Sequence, residues 1–357
     1  MKVRMRVAAS SAVRSRHYRS LSSCLAVLLV CLYCVPVKAQ ENIVIVGSGS
    51  SVPAPLYSRW AREFSRDHAR IQLRYVPVGT SEGIQLTVHG SGDFAAGEAL
   101  LTEQQRREGG LIALPVVLIA ITPIYNLPNV HQGLRLSGEV LAEIFLGDVK
   151  TWDSPEIAKL NPDISLPNLR IQVVNRPAGK GSNYVFTDFL SKTSGRFRSQ
   201  IGVTVSPKWP VGGSVDRSSD MIEQVGHQPG SIGFVELQYA DKAKISTVAV
   251  LNAAGKFVKA SRESILAACE AVESPNWNGF ATSLTNAPGA DSFPLGSFSW
   301  IYLRSSSSDS ERTAALRDLL NWIYYDGQRF AGEEGYSELP LQLLIPLREK
   351  IKETGHF

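Results

Sequence analysis

Three short stretches combine glycines with hydroxyl side chains in a way suited to holding an anion: Gly49-Ser50-Ser51, Gly79-Thr80-Ser81 and Gly179-Lys180-Gly181-Ser182. Each follows a strand-like apolar run and precedes a helix-like one. The first turn of a helix exposes unpaired N–H groups and about half a positive charge, so such a start can hold an oxyanion with no formal cation. Glycine lets the anion approach the backbone, and the hydroxyls add donors. Arg176, just before the third stretch, brings a planar fork of further donors. Glu98, after the strand candidate Asp93 to Ala96, brings a carboxylate. Taken singly, each stretch is also what a helix N-cap requires. Three of them at strand ends point to one cleft, because open α/β sheets bind ligands beyond the carboxyl ends of their strands.

Other chemistries fit less well. A Walker A loop needs GxxxxGK[ST], yet Lys180 is followed by Gly181, and Val174 stands where the first glycine belongs. Gly47-Ser48-Gly49 begins like a dinucleotide fingerprint, but Val52 occupies the place of the third glycine. Scattered histidines offer no metal-ligand spacing. Gly79-Thr80-Ser81-Glu82-Gly83 matches GxSxG in full and lies between a strand and a helix. It offers Ser81 as the nucleophile of a secreted hydrolase or esterase, the alternative reading. A triad would also need an acid and a later histidine, and nothing in the pattern marks His131 or His227 as the base.

The elements that would position these residues alternate. Ile43 to Val46, Ile71 to Val78, Asp93 to Ala96, Leu111 to Ile121, Leu169 to Val174, Ser231 to Val235 and Phe298 to Leu303 read as strands, the fourth interrupted by Pro115. Pro53 and Pro55 open a helix that carries Leu56, Trp60 and Phe64 on one face. A second helix is expected from Gly83, another over Asn183 to Leu190, and a last over Thr313 to Tyr325, after a serine-rich turn from Ser305 to Ser308. Strands alternating with helices at this spacing argue for α/β lobes with largely parallel sheets.

Residues 1–39 read as an export signal: six uncompensated cations, a short apolar run from Leu25 to Val35, and Val37-Lys38-Ala39 as a cleavage site. Without that segment the chain carries 30 Lys and Arg against 33 Asp and Glu, a net charge of −3 in place of +4. The basic footprint that a nucleic-acid partner would require therefore disappears. Cys24, Cys31 and Cys34 leave with the signal, and Cys269 alone remains, so no internal disulfide is expected. The remaining 318 residues exceed what one core usually organises, which argues for two lobes.

Several separated strings resemble one family, the periplasmic phosphate-binding protein of the phosphate-specific ABC transporter. They are GSGSSVPAPLYSRW, VGTSEGI, LGDVKTWDSPEIAKLNPDISLP, PGSIGFVELQYA and WIYYDGQRFAGEEGYSELP, in that order over nearly the whole mature chain. The resemblance implies a two-lobed type II periplasmic binding-protein fold, each lobe a mostly parallel sheet flanked by helices, with the ligand cleft between them. Lobe 1 would comprise residues 40–115 with 296–357 and lobe 2 residues 116–295, the crossings falling near Pro115 and Leu295. It further implies a monomeric, non-enzymatic periplasmic receptor, with no cofactor and no metal, that hands a phosphate ion to a membrane permease and its ATPase. The implied ligand residues are Ser51, Val52, Thr80, Glu98, Arg176, Lys180, Gly181 and Ser182. Glu98 stands where the family has Asp accepting the proton of hydrogen phosphate, Ala178 where it has Asp offsetting the arginine, and Lys180 where it has Ser.

Overall fold

The computed structural model describes residues 42–130, 133–272, 282–305 and 309–353. The expected export signal lies outside the described residues, as do His131 and most of the serine-rich turn. Among the described residues the main sheet has nine strands: β1 (Ile43–Gly49), β2 (Ile71–Pro77), β3 (Phe94–Gly97), β4 (Leu111–Tyr125), β5 (Gln172–Asn175), β6 (Gly213–Ser214), β7 (Ser231–Glu236), β8 (Ser246–Thr247) and β9 (Gly296–Arg304). Their order is β2-β1-β3-β9-β4-β7-β5-β6, with β8 also on β4.

The sheet is parallel on both flanks and antiparallel at its centre. β4 explains why. Its fifteen residues pair first with β9, from Leu111 to Ala120, and then with β7, from Ile121 to Tyr125. Because β3 and β4 are both antiparallel to β9 while β7 is antiparallel to β4, the two flanks run in opposite senses. The carboxyl ends of β1 and β3 therefore face those of β5 and β7 across the middle of β4.

Pro115 does not interrupt β4. A proline supplies no ladder N–H, and the strand accommodates it at a bulge where the register skips Val116 between the Ser299–Val117 and Trp300–Pro115 pairs. The carbonyls at the bulge are satisfied from the chain's last third: Tyr324 Oη donates to Pro115 O at 2.8 Å and Gln328 Nε2 to Val116 O at 3.0 Å. Ser337 exchanges backbone hydrogen bonds with Leu118. The carboxyl-terminal segment is thereby fastened to the strand that joins both flanks.

The first helix, α1 (Ala54–Asp67), buries Leu56, Tyr57, Trp60 and Phe64, the face set by the i, i+4 spacing. Tyr57 stacks on Tyr75 of β2, and Trp60 Nε1 donates to Gly327 O at 2.8 Å. Helix α2 (Thr80–Val88) begins three residues before the expected Gly83, because Gly79 adopts a φ of 105° and turns the chain out of β2 at once. Helix α3 (Gly181–Thr193) follows β5, and α4 (Ser310–Trp322) follows β9.

Asp93 ties α4 to the first strand. Its nearly buried carboxylate accepts from Val46 N–H at 2.7 Å and from Arg312 Nε and Nη2 at 2.7 and 2.8 Å, while Arg312 Nη2 also reaches Val44 O. Asp93→Ala is expected to cost about 2 kcal/mol or more, the price of charge-assisted bonds lost at a covered site. Urea unfolding checks this: the midpoint should fall with little change in slope, and an unchanged midpoint would exclude the role.

Candidate oxyanion site

The three glycine-hydroxyl stretches meet at the junction of the two flanks. Gly49, with a φ of 142°, lies so close to Ala96 O that a Cβ would collide with it, and Ser50 N–H donates to that oxygen at 2.8 Å. Gly79 N–H donates to Gly49 O at 2.8 Å, joining the second turn to the first. Ser81 N–H reaches Gly179 O at 3.4 Å, joining it to the third. At the start of α3 a Cβ on Gly181 would strike Glu98 Oε2 and stand 2.6 Å from Thr80 Oγ1. Only glycine allows the helix start of one flank to sit against the carboxylate of the other.

None of α1, α2 and α3 is closed by a side-chain cap. The hydroxyls of Thr80 and Ser182, both buried, are therefore not spent on the ordinary N-cap role, and the starts of α2 and α3 keep the positive end of the helix dipole, although Ser81 N–H is already engaged by Gly179 O. The first stretch differs from expectation. Helix α1 starts at Ala54 after Pro53, so Gly49-Ser50-Ser51 is a turn ahead of the helix, pinned by Val52 N–H to Ser50 Oγ at 3.1 Å and by Tyr75 Oη to Ser50 O at 2.7 Å. Ser51 sits half-buried at its tip. Val52 is buried, and its carbonyl accepts from Tyr336 Oη at 2.7 Å and Gln238 Nε2 at 3.3 Å.

Arg176 is only 1% exposed. Its Nη1 donates to Asp216 O at 2.9 Å and its Nη2 to Ser218 Oγ at 2.6 Å, with both carboxylate oxygens of Glu236 at 3.4 Å from Nη2. Its Nε is buried with no protein partner, which leaves donor capacity for a ligand. Glu236, the last residue of β7, is fully buried and supplies the counter-charge that Ala178 cannot. Lys180 does not turn to Glu98: its ammonium pairs with Asp216 Oδ1 at 2.7 Å.

The PBP superfamily domain matches residues 36–326 of this chain. The phosphate-binding protein PstS of Haemophilus influenzae is 33% identical over 315 residues, covering 88% of this chain and 94% of its own. This chain belongs to the phosphate-binding protein family. Solved structures agree on the fold. An ABC-type phosphate transport receptor from Vibrio cholerae superposes with a TM-score of 0.58 at 19% identity, over 83% of this chain and 100% of its own. The phosphate-binding protein of Stenotrophomonas maltophilia gives 0.64 at 16% identity, over 86% and 94%.

In this phosphate-binding protein family member Glu98 sits where water does not reach, 1% exposed, and burial is the main reason its pKa rises from 4.5 to about 7. Hydroxyls of Ser50, Ser299 and Thr80 pull it back down, while the charge of Glu236 pushes it further up. Ser299 Oγ donates to Oε1 at 3.2 Å and Thr80 Oγ1 to Oε2 at 3.5 Å. Asp216, Ser218, Glu236 and Ser299 were not among the residues expected from the sequence, and Ser50 was marked only as part of its glycine-hydroxyl stretch. Of these, Glu236 had a signal in the sequence, and Ser299 is placed by the sheet register. One step past the Trp300–Gly97 pair, the register brings Ser299 opposite Glu98, and Glu236 is an acid placed at the carboxyl end of an apolar strand. Asp216 comes from the bend after β6 and Ser218 is the first residue of the helix Ser218–His227, with no local pattern to mark them.

Two tests follow from these charges. An acid whose folded pKa is raised contributes stability that is intact below about 4.5 and is lost as pH rises through about 7. Glu98→Gln should therefore gain on the wild type by about 3 kcal/mol between pH 4 and pH 8, unliganded, in urea unfolding; a pH-independent difference between the two would refute the buried-acid assignment. Arg176→Met strands Glu236 and should cost about 3–5 kcal/mol, most of it recovered in Arg176→Met with Glu236→Met. Additive losses in the double variant would show that the two residues are not a pair.

Proposed function

We propose that this chain is a periplasmic solute receptor that binds inorganic phosphate, or a closely related phosphate-containing oxyanion, and delivers it to the permease and ATPase of an ABC importer, without catalysing a reaction. The observation that carries the reading is the contact of the α3 start with Glu98 and Thr80. A helix terminus, uncapped hydroxyls and a buried arginine with an open donor supply the positive half of an oxyanion cradle. Glu98 supplies an acceptor for the one proton that hydrogen phosphate carries. Above about pH 7, where Glu98 is ionised, a fully deprotonated oxyanion would meet that carboxylate with repulsion and no hydrogen bond.

Ser51, Val52, Thr80, Gly181 and Ser182 would line the anion, Arg176 would clamp it, and Lys180 would stand by at the start of α3. In this reading residues 40–115 with 296–357 form one lobe and 116–295 the other, and they close because the ligand touches both, giving it higher affinity for the closed form. The family's names support it: the relatives are called phosphate-binding proteins, and one solved neighbour a phosphate transport receptor. No helix among the described residues is long and apolar enough to cross a membrane; in this reading the receptor is released into the periplasm after signal cleavage near Ala39.

The hydrolase alternative has little to stand on. Ser81 is the second residue of α2 rather than the apex of an elbow, and His227 is exposed at the amino-terminal end of β7, the end remote from Ser81, with Nδ1 2.8 Å from Glu223 O. Calorimetry decides between the readings. At about pH 8, with Glu98 ionised, phosphate should bind at one site and sulfate about 100-fold more weakly or worse, the size of a missing hydrogen bond plus an unscreened repulsion. Equal affinities would remove the acceptor role of Glu98, and ester hydrolysis abolished by Ser81→Ala would favour the enzyme.

A further inference from the structure

One short stretch, Asp216 to Ser218, holds both Arg176 and Lys180, and holds them differently. Asp216 O accepts from Arg176 Nη1 and Ser218 Oγ from Nη2, so Arg176 is fixed by neutral groups and by the buried Glu236. Lys180 is fixed by a side chain alone, the Asp216 carboxylate at 2.7 Å. The residue is the one before Gly181, so its backbone belongs to the turn that meets Glu98 and Thr80. Its side chain is only 16% exposed, whereas that of Asp216 is 67% exposed. The position of the Lys180 ammonium therefore depends on that carboxylate. An ammonium on a flexible four-carbon stem is also readily redirected.

We propose that Asp216 is a specificity-determining residue, whose carboxylate keeps the Lys180 ammonium off the bound oxyanion. The proposal rests on the receptor reading above. With Lys180 withdrawn, the cationic side of the site is Arg176, already offset by Glu236, and an anion is accepted only if it brings a proton to Glu98. Released from Asp216, the ammonium would add one positive charge beside the anion, where water is sparse and a unit charge weighs far more than at the surface. That charge would offset the repulsion between Glu98 and an oxyanion that has no proton to give. The ligand class so admitted is the fully ionised tetrahedral dianion, of which sulfate is the simplest.

The test is calorimetry of the exported chain with sulfate and with phosphate at about pH 8, where Glu98 is ionised, for the wild type, Asp216→Asn and Asp216→Asn combined with Lys180→Ala. Asparagine keeps the size of the side chain and the carbonyl that holds Arg176, and Asp216→Ser provides a second removal of the same charge. Sulfate affinity should rise roughly tenfold in both single variants, narrowing the gap to phosphate, and the gain should vanish when Lys180 is also removed. An unchanged sulfate affinity, or a gain that persists without Lys180, overturns the inference while leaving the receptor reading intact. A wild-type chain that takes up neither anion overturns both.

Discussion

The structure is organised around a carboxylate kept from water. Glu98 ends the β1–β3 flank in a place with almost no solvent, and an unpaired charge there would be costly. What surrounds it is a set of partial charges: hydroxyls from Ser50, Thr80 and Ser299 and the amino-terminal turn of α3. These soften the cost without cancelling it, which is why its proton is held to about pH 7. Once ionised, above that pH, the carboxylate is suited to accept a proton from a ligand and poorly suited to face an anion that lacks one.

The fold's task is to bring that carboxylate and the helix start together, although they are some eighty residues apart. A strand of ordinary length serves one sheet. β4 is long enough to serve two flanks in succession, and the reversal of direction across β9 and β7 points their carboxyl ends at one another. The bulge at Pro115 lets a proline stand inside this strand, and the carbonyls there are taken up by Tyr324 and Gln328, which locks the last third of the chain onto the same element. Asp93 and Arg312 do the corresponding work on β1, inside the first flank. Rigidity of this kind matters because donors aimed at an anion are effective only if they need not reorganise to meet it.

Charge in the site is also arranged in pairs that differ in depth. Arg176 and Glu236 are both buried, and such a pair holds its geometry because neither member can be left alone. Lys180 and Asp216 lie nearer the surface, where an ion pair is held loosely. One cation is thus a fixed part of the cradle and the other a movable one.

Much of this was legible in the residues. Periodicity at Leu56, Trp60 and Phe64 gave the buried face of α1, the alternation of strands and helices gave the α/β class, and glycine with hydroxyl at strand ends marked the three turns, because those features depend only on neighbours in the chain. The start of α2 was placed late, since a single glycine with positive φ, rather than any apolar spacing, ends β2. Ser51 was grouped with helix starts, although Pro53 sets the start of α1. The counter-charge of Arg176 and the partner of Lys180 could not be found along the chain: Glu236 and Asp216 reach them only because β5, β6 and β7 lie side by side. Sequence by itself determined which groups can bind an anion, since donors and φ preferences are local properties. Tertiary structure alone decided which of them share one dry junction and which charges they face, because burial and electrostatic partnership are set by distance in space and not by separation along the chain.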